Sequence, residues 1–243
     1  MTSKYNSTEE VVWFISVTKE DDWDLARFQH EYHDVHGGMT AKMAESNPAL
    51  RQYSQFTNLE FRNHEVDQPV WNCITRLTWQ SLDVVWAGFQ HPQYKATAGK
   101  HVFCRLDQVG ALMRKVEEFQ GRASPGETQV NVLIFHRRNN PDIEVSGTWL
   151  KQRAHNAHQN FAHEESLLSY RLLTDVTPKD INSFFDGTQF AKGSWARYLA
   201  VEEFVFPDRQ KATSFLAAHE HFTETSIAVT SPQIVIGDEI KVV

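Results

Sequence analysis

Three histidines recur at three-residue intervals in the segment Phe28-Gln-His30-Glu-Tyr32-His33-Asp-Val35-His36. Imidazole ionises nearer neutrality than other unperturbed side chains, so each could pass a proton to or from a substrate. Leu25, Phe28, Tyr32, Val35 and Met39 fall at 3-4-3-4 spacing, one face of an amphipathic helix. At roughly 100° per residue, His36 lies about 60° from the centre of that stripe, His33 about 120° away, and His30 further still. This register turns His30 and His33 to solvent and leaves His36 on the border of the buried face. Its ring there would be near a pocket and its pKa open to tuning. A boundary histidine bonded to a backbone carbonyl is the alternative. Downstream, Tyr53 and Gln55 share one strand face and could orient a substrate carbonyl or enol, although Tyr53 could equally be packed and capped. Late in the chain, His158 sits beside Ala157 as His36 sits beside Val35, and Tyr170 repeats Tyr53.

The elements that must carry these residues are legible. Val11 to Val17 is apolar and β-branched, a buried strand. The histidine helix follows and stops at Asn47-Pro48. Leu50 to Thr57 reads as a strand, and Trp71 to Trp79 as another, with Trp71, Cys73, Thr75, Leu77 and Trp79 on one face. Ser81 caps a helix that runs to Phe89 ahead of Pro92, and Val109 to Phe119 is a fourth strand. The same order returns: strand 129–136, helix 149–163, strands 167–175 and 198–206, a helix from the Asp208 cap to His219, and strand 234–242. Gly121 to Thr128 has linker composition.

The repeat holds residue by residue. Phe28, Tyr32, Val35 and Met39 map onto Leu150, Ala154, Ala157 and Phe161 at a constant offset of 122, and Tyr53 to Asn58 maps onto Tyr170 to Asp175 at 117. The expected fold is therefore α+β: two tandem ferredoxin-like βαββαβ units, residues 1–120 and 129–243, joined by the linker 121–128. Each antiparallel sheet would carry helices on one face. The bare faces would pack together as an α+β barrel, with the natural ligand pocket between the sheets.

The first helix, with its aromatic at Phe28, Tyr32 four residues on and His36 four further, followed by Asn47-Pro48-Ala-Leu-Arg-Gln-Tyr53-Ser-Gln55, resembles the EthD-like family of dimeric α+β barrel proteins. The second half departs from the pattern, since Leu150 and Ala154 replace the aromatics and no proline precedes Tyr170. The resemblance implies a two-sheet barrel, often without metal or flavin. Its members and relatives include dehydratases, decarboxylases, polyketide cyclases and cofactor-free monooxygenases, and some related barrels bind haem through a helix histidine.

Composition narrows the rest. The chain of 243 residues is 41% hydrophobic and 23% charged, with a net charge of −7 spread over both halves. A mildly acidic surface disfavours nucleic acid and anionic membranes. No apolar run approaches ~18 residues and the first ten residues are polar, so a cytoplasmic protein is expected. The two cysteines, Cys73 and Cys104, lie in apolar runs and are expected reduced and buried. His30-Glu-Tyr-His33 lacks the four-residue histidine spacing of a zinc helix, and no phosphate loop or nucleophile elbow is present.

The expected function is that of a cofactor-independent lyase or cyclase on a hydrophobic, polyketide-like substrate. Its catalytic residues would be His36, Tyr53 and His158. Tyr32, Phe28, Gln55, Trp13, Trp79 and Tyr170 would bind a flat apolar ligand. No metal or cofactor is expected, and the chain would act as a monomer or homodimer. The rival readings are a cofactor-free monooxygenase on an anthrone-like substrate, and a non-catalytic barrel holding an apolar ligand or haem.

Overall fold

The first strand, β1 (Val11–Val17), is buried along its whole length because it lies between two others, β3 (Cys73–Trp79) and β4 (Val109–Gln120). Its odd residues Val11, Trp13, Ile15 and Val17 face a layer of helices, and Val12 and Phe14 face the opposite way. In this computed structural model the described residues are 4–5, 8–62, 71–92, 102–126, 128–138, 146–195, 197–219 and 232–243. The remaining strands are β2 (Leu50–Arg62), β5 (Gln129–Arg137), β6 (Ser169–Asp175), β7 (Tyr198–Phe206) and β8 (Gln233–Lys241). Their order is β1-β3-β2-β8-β5-β7-β6-β4, closed on itself.

The order β4-β1-β3-β2 in the first half repeats as β8-β5-β7-β6 in the second. The expected α+β barrel is present, with its two sheets joined edge to edge. The β2–β8 and β4–β6 seams are antiparallel ladders, each with one register shift, between Thr57 and Glu60 and between Lys115 and Glu117. Each four-stranded sheet alone would leave two edges of unpaired backbone groups, and the seams satisfy them.

The space between the sheets is not the pocket expected from the sequence. Phe14, Phe56, Trp71, Ile74, Phe135, Leu173, Tyr198 and Val201 fill it. A cavity among Phe14, Ser16, Trp71, Val109, Phe135 and Tyr198 holds about 10 Å³, no more than one water. A buried ion network also crosses the interior. Arg76 pairs with Glu203 and with Glu239 (2.6 Å), Arg171 reaches Glu203 (3.1 Å), and Ser54 and Asn131 donate to Glu239. Trp71 belongs to this interior rather than to the outward face of β3. It precedes the strand, so the alternation that places Cys73 and Leu77 does not extend to it.

Helices lie on the outer face. Asp24 caps α1 (Leu25–Gln29) by accepting from the Arg27 amide, and α2 (Gly37–Ser46) ends at Asn47. Between them, His30–His36 is π-helical, and the Gly37 amide reaches back five residues to the Tyr32 carbonyl. The extra residue in each turn breaks the 3-4-3-4 stripe. Phe28 and Tyr32 stay buried, but Leu25, Val35 and Met39 are exposed, Met39 at 60%. The remaining helices are α3 (Leu82–Gln90, capped by Ser81), α4 (Gly147–Phe161, capped by Ser146), α5 (Ile181–Phe184) and α6 (Arg209–Ala218, capped by Asp208). Phe184, Phe185, Phe190 and Trp195, from the segment between β6 and β7, pack across the halves onto Trp13 and Phe89. Gly110 admits this contact, since a Cβ there would lie 1.9 Å from the Trp195 ring. Among the described residues, no helix is long and apolar enough to cross a membrane.

Candidate active site

On the outer face of the first sheet, Tyr53 of β2 pairs with Leu77 and Gln55 with Thr75 of β3, so all four point toward the helix layer. The π-helical stretch lies above them. A wider turn means a smaller angle between neighbours, so the adjacent residues Tyr32 and His33 both reach the sheet. The rings of Phe28 and Tyr32 stack at 5.4 Å, and those of Tyr32 and His36 at 5.8 Å. Phe103 leans on all three.

The polar atoms form one network. The Gln55 amide nitrogen donates to the Tyr32 carbonyl (3.0 Å) and to the Tyr53 hydroxyl (2.6 Å). A backbone carbonyl can only accept, so the orientation of the Gln55 amide is fixed by chemistry. Its oxygen is then the atom that meets His33 Nδ1, and Nδ1 must carry the hydrogen. In the neutral imidazole, the lone pair is therefore on Nε2. Tyr32 and Thr75 are joined hydroxyl to hydroxyl. The expectation that His33 faces solvent is thus corrected: it is half-buried and tied to the sheet, because the π turn swings it inward.

Burial sets the protonation states. It raises the Tyr32 and Tyr53 hydroxyls well above their ordinary value, so both remain O–H donors. It lowers His36 to about 4, which keeps that ring neutral near pH 7. Cys73 and Cys104 are buried free thiols, and burial pushes Cys104 up to about 12, so neither supplies a thiolate. The floor is thus made of two protonated phenols, a hydroxyl and an amide. Two imidazoles stand at its rim.

Other expected residues lie elsewhere. Trp13 shares a register row with Tyr53 but is separated from it by Leu77, and it is boxed by Phe89, Phe185, Phe190 and Trp195. Trp79 is half-buried one row further along. In the second half, Tyr170 is buried as Tyr53 is. His158, however, is exposed and meets Phe119 edge-on, because Phe119 stacks over Tyr170 and shields it. Ala154, Ala157 and Phe161 of α4 pack in one apolar cluster with Tyr170, Leu172 and Phe204. No cluster of three or more metal-ligating side chains occurs among the described residues.

Beside Tyr170 stands a cluster that the sequence reading missed. Glu202 accepts from His136 Nε2 (2.6 Å), Arg153 Nε (2.8 Å) and the Tyr170 hydroxyl (2.7 Å). Burial alone would raise its carboxyl, but the Arg153 charge and the His136 hydrogen bond outweigh burial and hold it at about 2. A signal was available in Tyr-Leu-Ala-Val-Glu202-Glu203-Phe-Val-Phe. Two carboxylates inside a wholly apolar strand need a partner on each face of the sheet. Glu203 finds its partners inside the barrel and Glu202 finds them outside.

No family model matches the chain. Chalcone isomerase cfoK of Aspergillus candidus is 28% identical over 221 residues, which span 87% of this chain and 86% of that protein. The fold is shared with an anthrone oxidase-like protein (TM-score 0.56, 9% identity, 98% of this chain and 94% of that one). It is also shared with chlorite dismutase from Candidatus Nitrospira defluvii, solved with imidazole (TM-score 0.51, 8% identity, 98% and 93%).

Proposed function

We propose that this chain is a cofactor-independent cyclase of the isomerase type, closing a ring by adding a phenol or enol oxygen across an enone in a small aromatic, polyketide-like substrate. The observation that carries the reading is the His33–Gln55–Tyr53 chain, which fixes the imidazole tautomer and ends in a protonated phenol. His33 Nε2 takes the proton from the substrate hydroxyl. The resulting oxygen attacks the enone β-carbon, and the electron pair moves to the carbonyl oxygen. The Tyr53 and Tyr32 hydroxyls hold that enolate. His33 then returns its proton to the α-carbon, so the product is an isomer of the substrate and nothing is consumed. His36, neutral and stacked on Tyr32, serves as an aromatic wall against a flat ligand. The similarity to a chalcone isomerase and the EthD-like pattern of the first helix support the same chemistry.

The test is turnover of a 2′-hydroxychalcone followed by absorbance with and without oxygen. The expected result is equal rates in both, and loss of turnover in His33→Ala. Oxygen uptake matched to product would overturn the cyclase reading in favour of a monooxygenase.

A further inference from the structure

The second half places a different set of groups where the first half has its candidate site. Gln55 pairs with Thr75, and the corresponding Leu172 pairs with Glu202. Val17 pairs with Cys73, and the corresponding His136 pairs with Ala200. The carboxylate and the imidazole are therefore not copies of first-half residues. They are separate additions to the same architecture.

The arrangement has the parts of an oriented base. Three donors from three elements, His136 of β5, Arg153 of α4 and Tyr170 of β6, converge on one carboxylate. Arg153 also pairs with Glu202 as an ion (2.7 Å). Glu202 accepts from His136 Nε2, which leaves the lone pair of the neutral ring on Nδ1, the relation of carboxylate to imidazole in a proton-transfer dyad. Buried ion pairs of this kind add little net stability over apolar packing, so stability alone is a weak reason to keep one. His136 is 5% exposed where Glu202 and Tyr170 are 0%. Trp149, half-buried on the first turn of α4, meets the His136 ring edge-on at 5.3 Å and offers a flat apolar surface beside it.

We propose that His136, Glu202, Arg153 and Tyr170 form a second proton-accepting site, separate from the one around His33, that binds a planar weak acid (a phenol or enol) as its anion. The ligand O–H proton passes to His136 Nδ1. The imidazolium stays bonded to the Glu202 carboxylate, and the ligand oxyanion rests against the imidazolium with its ring along Trp149.

The probe is 4-nitrophenol, whose phenolate is yellow, titrated at a pH slightly acid of its own ionisation. The full chain carrying His33→Gln serves as background, so that the first site contributes nothing. The expected result is a saturating phenolate signal of about one equivalent per chain that weakens by about tenfold or more on adding His136→Gln. No phenolate signal in the background protein, or an undiminished one with His136→Gln, would overturn the proposal. Trp149→Leu lies outside the hydrogen-bonded set and guards against a variant that merely unfolds. It should weaken binding several-fold with an unchanged melting temperature, and unaltered affinity would also overturn the site.

Discussion

The two halves share a topology and a buried tyrosine but solve the problem of polar groups on the outer face in opposite ways. The first half is neutral throughout: Tyr32, Tyr53, Thr75 and Gln55 are joined by hydrogen bonds without an ion. The second half is built on charge, with Glu202 held by Arg153 and His136. A neutral network can release a donor to a ligand at modest cost, whereas a buried carboxylate holds its donors tightly. The difference teaches which side should tolerate the loss of one polar partner and which should not.

The largest effect should come from breaking the charged side. Glu202→Ala removes the carboxylate on which His136, Arg153 and Tyr170 converge, and should cost about 3–5 kcal/mol in urea unfolding. An equal loss from Thr75→Ala, its neutral counterpart, would erase the distinction. Next, His33→Ala should lower kcat by about 10²–10⁴-fold with little change in melting temperature. Gln55→Glu would import the second half's logic into the first. A carboxylate facing His33 favours the imidazolium, so the acid limb of the kcat/KM profile should move up by about one pH unit or more.

Acid should weaken the halves in sequence. His36 is lowered from its ordinary 6.5 to about 4, so below pH 6.5 the unfolded chain binds a proton that the folded chain refuses. Stability is then lost at up to about 1.4 kcal/mol per pH unit until pH 4 is reached. Glu202 is lowered from 4.5 to about 2, so its contribution is present above pH 4.5 and lost as pH falls toward 2. Urea unfolding measured against pH should show the first window vanish in His36→Gln and the second persist. The smallest effect is expected at Met39. Met39→Lys should change stability by less than about 0.5 kcal/mol, because the π turn leaves that side chain exposed. A loss of about 2–5 kcal/mol would restore the ordinary helical register.

The alternation of strands and the capping residues Ser81 and Asp208 made the elements readable before any coordinates, as did the residue-level repeat between Tyr53 and Tyr170. Tyr53, Gln55, Tyr32 and Phe28 fell in one place because strand period and helix spacing are local properties. His33 was misplaced because a constant 100° step cannot foresee a seven-residue π-helical stretch, whose hydrogen bonding is set by contact with the sheet below. The pocket between the sheets was misplaced for a different reason. Whether two sheets stack or fuse depends on which edges meet, and that pairing is non-local. Glu202, His136 and Arg153 escaped notice because they converge from three separated elements, and no spacing rule links them.

The seams also set an order of events. Ser54 of β2 meets Glu239 of β8 across 185 residues of chain. The strand that carries Tyr53 and Gln55 therefore has one neighbour available early, β3, and another only after the 185 residues from Ser54 to Glu239 have been made. Closing so long a loop forfeits much chain entropy before any ladder bond rewards it. Folding of this barrel should be slow and late-committed, and the candidate catalytic strand should be among the last parts to become rigid. A cell that synthesises the chain would hold an exposed β2 edge for as long as that wait lasts.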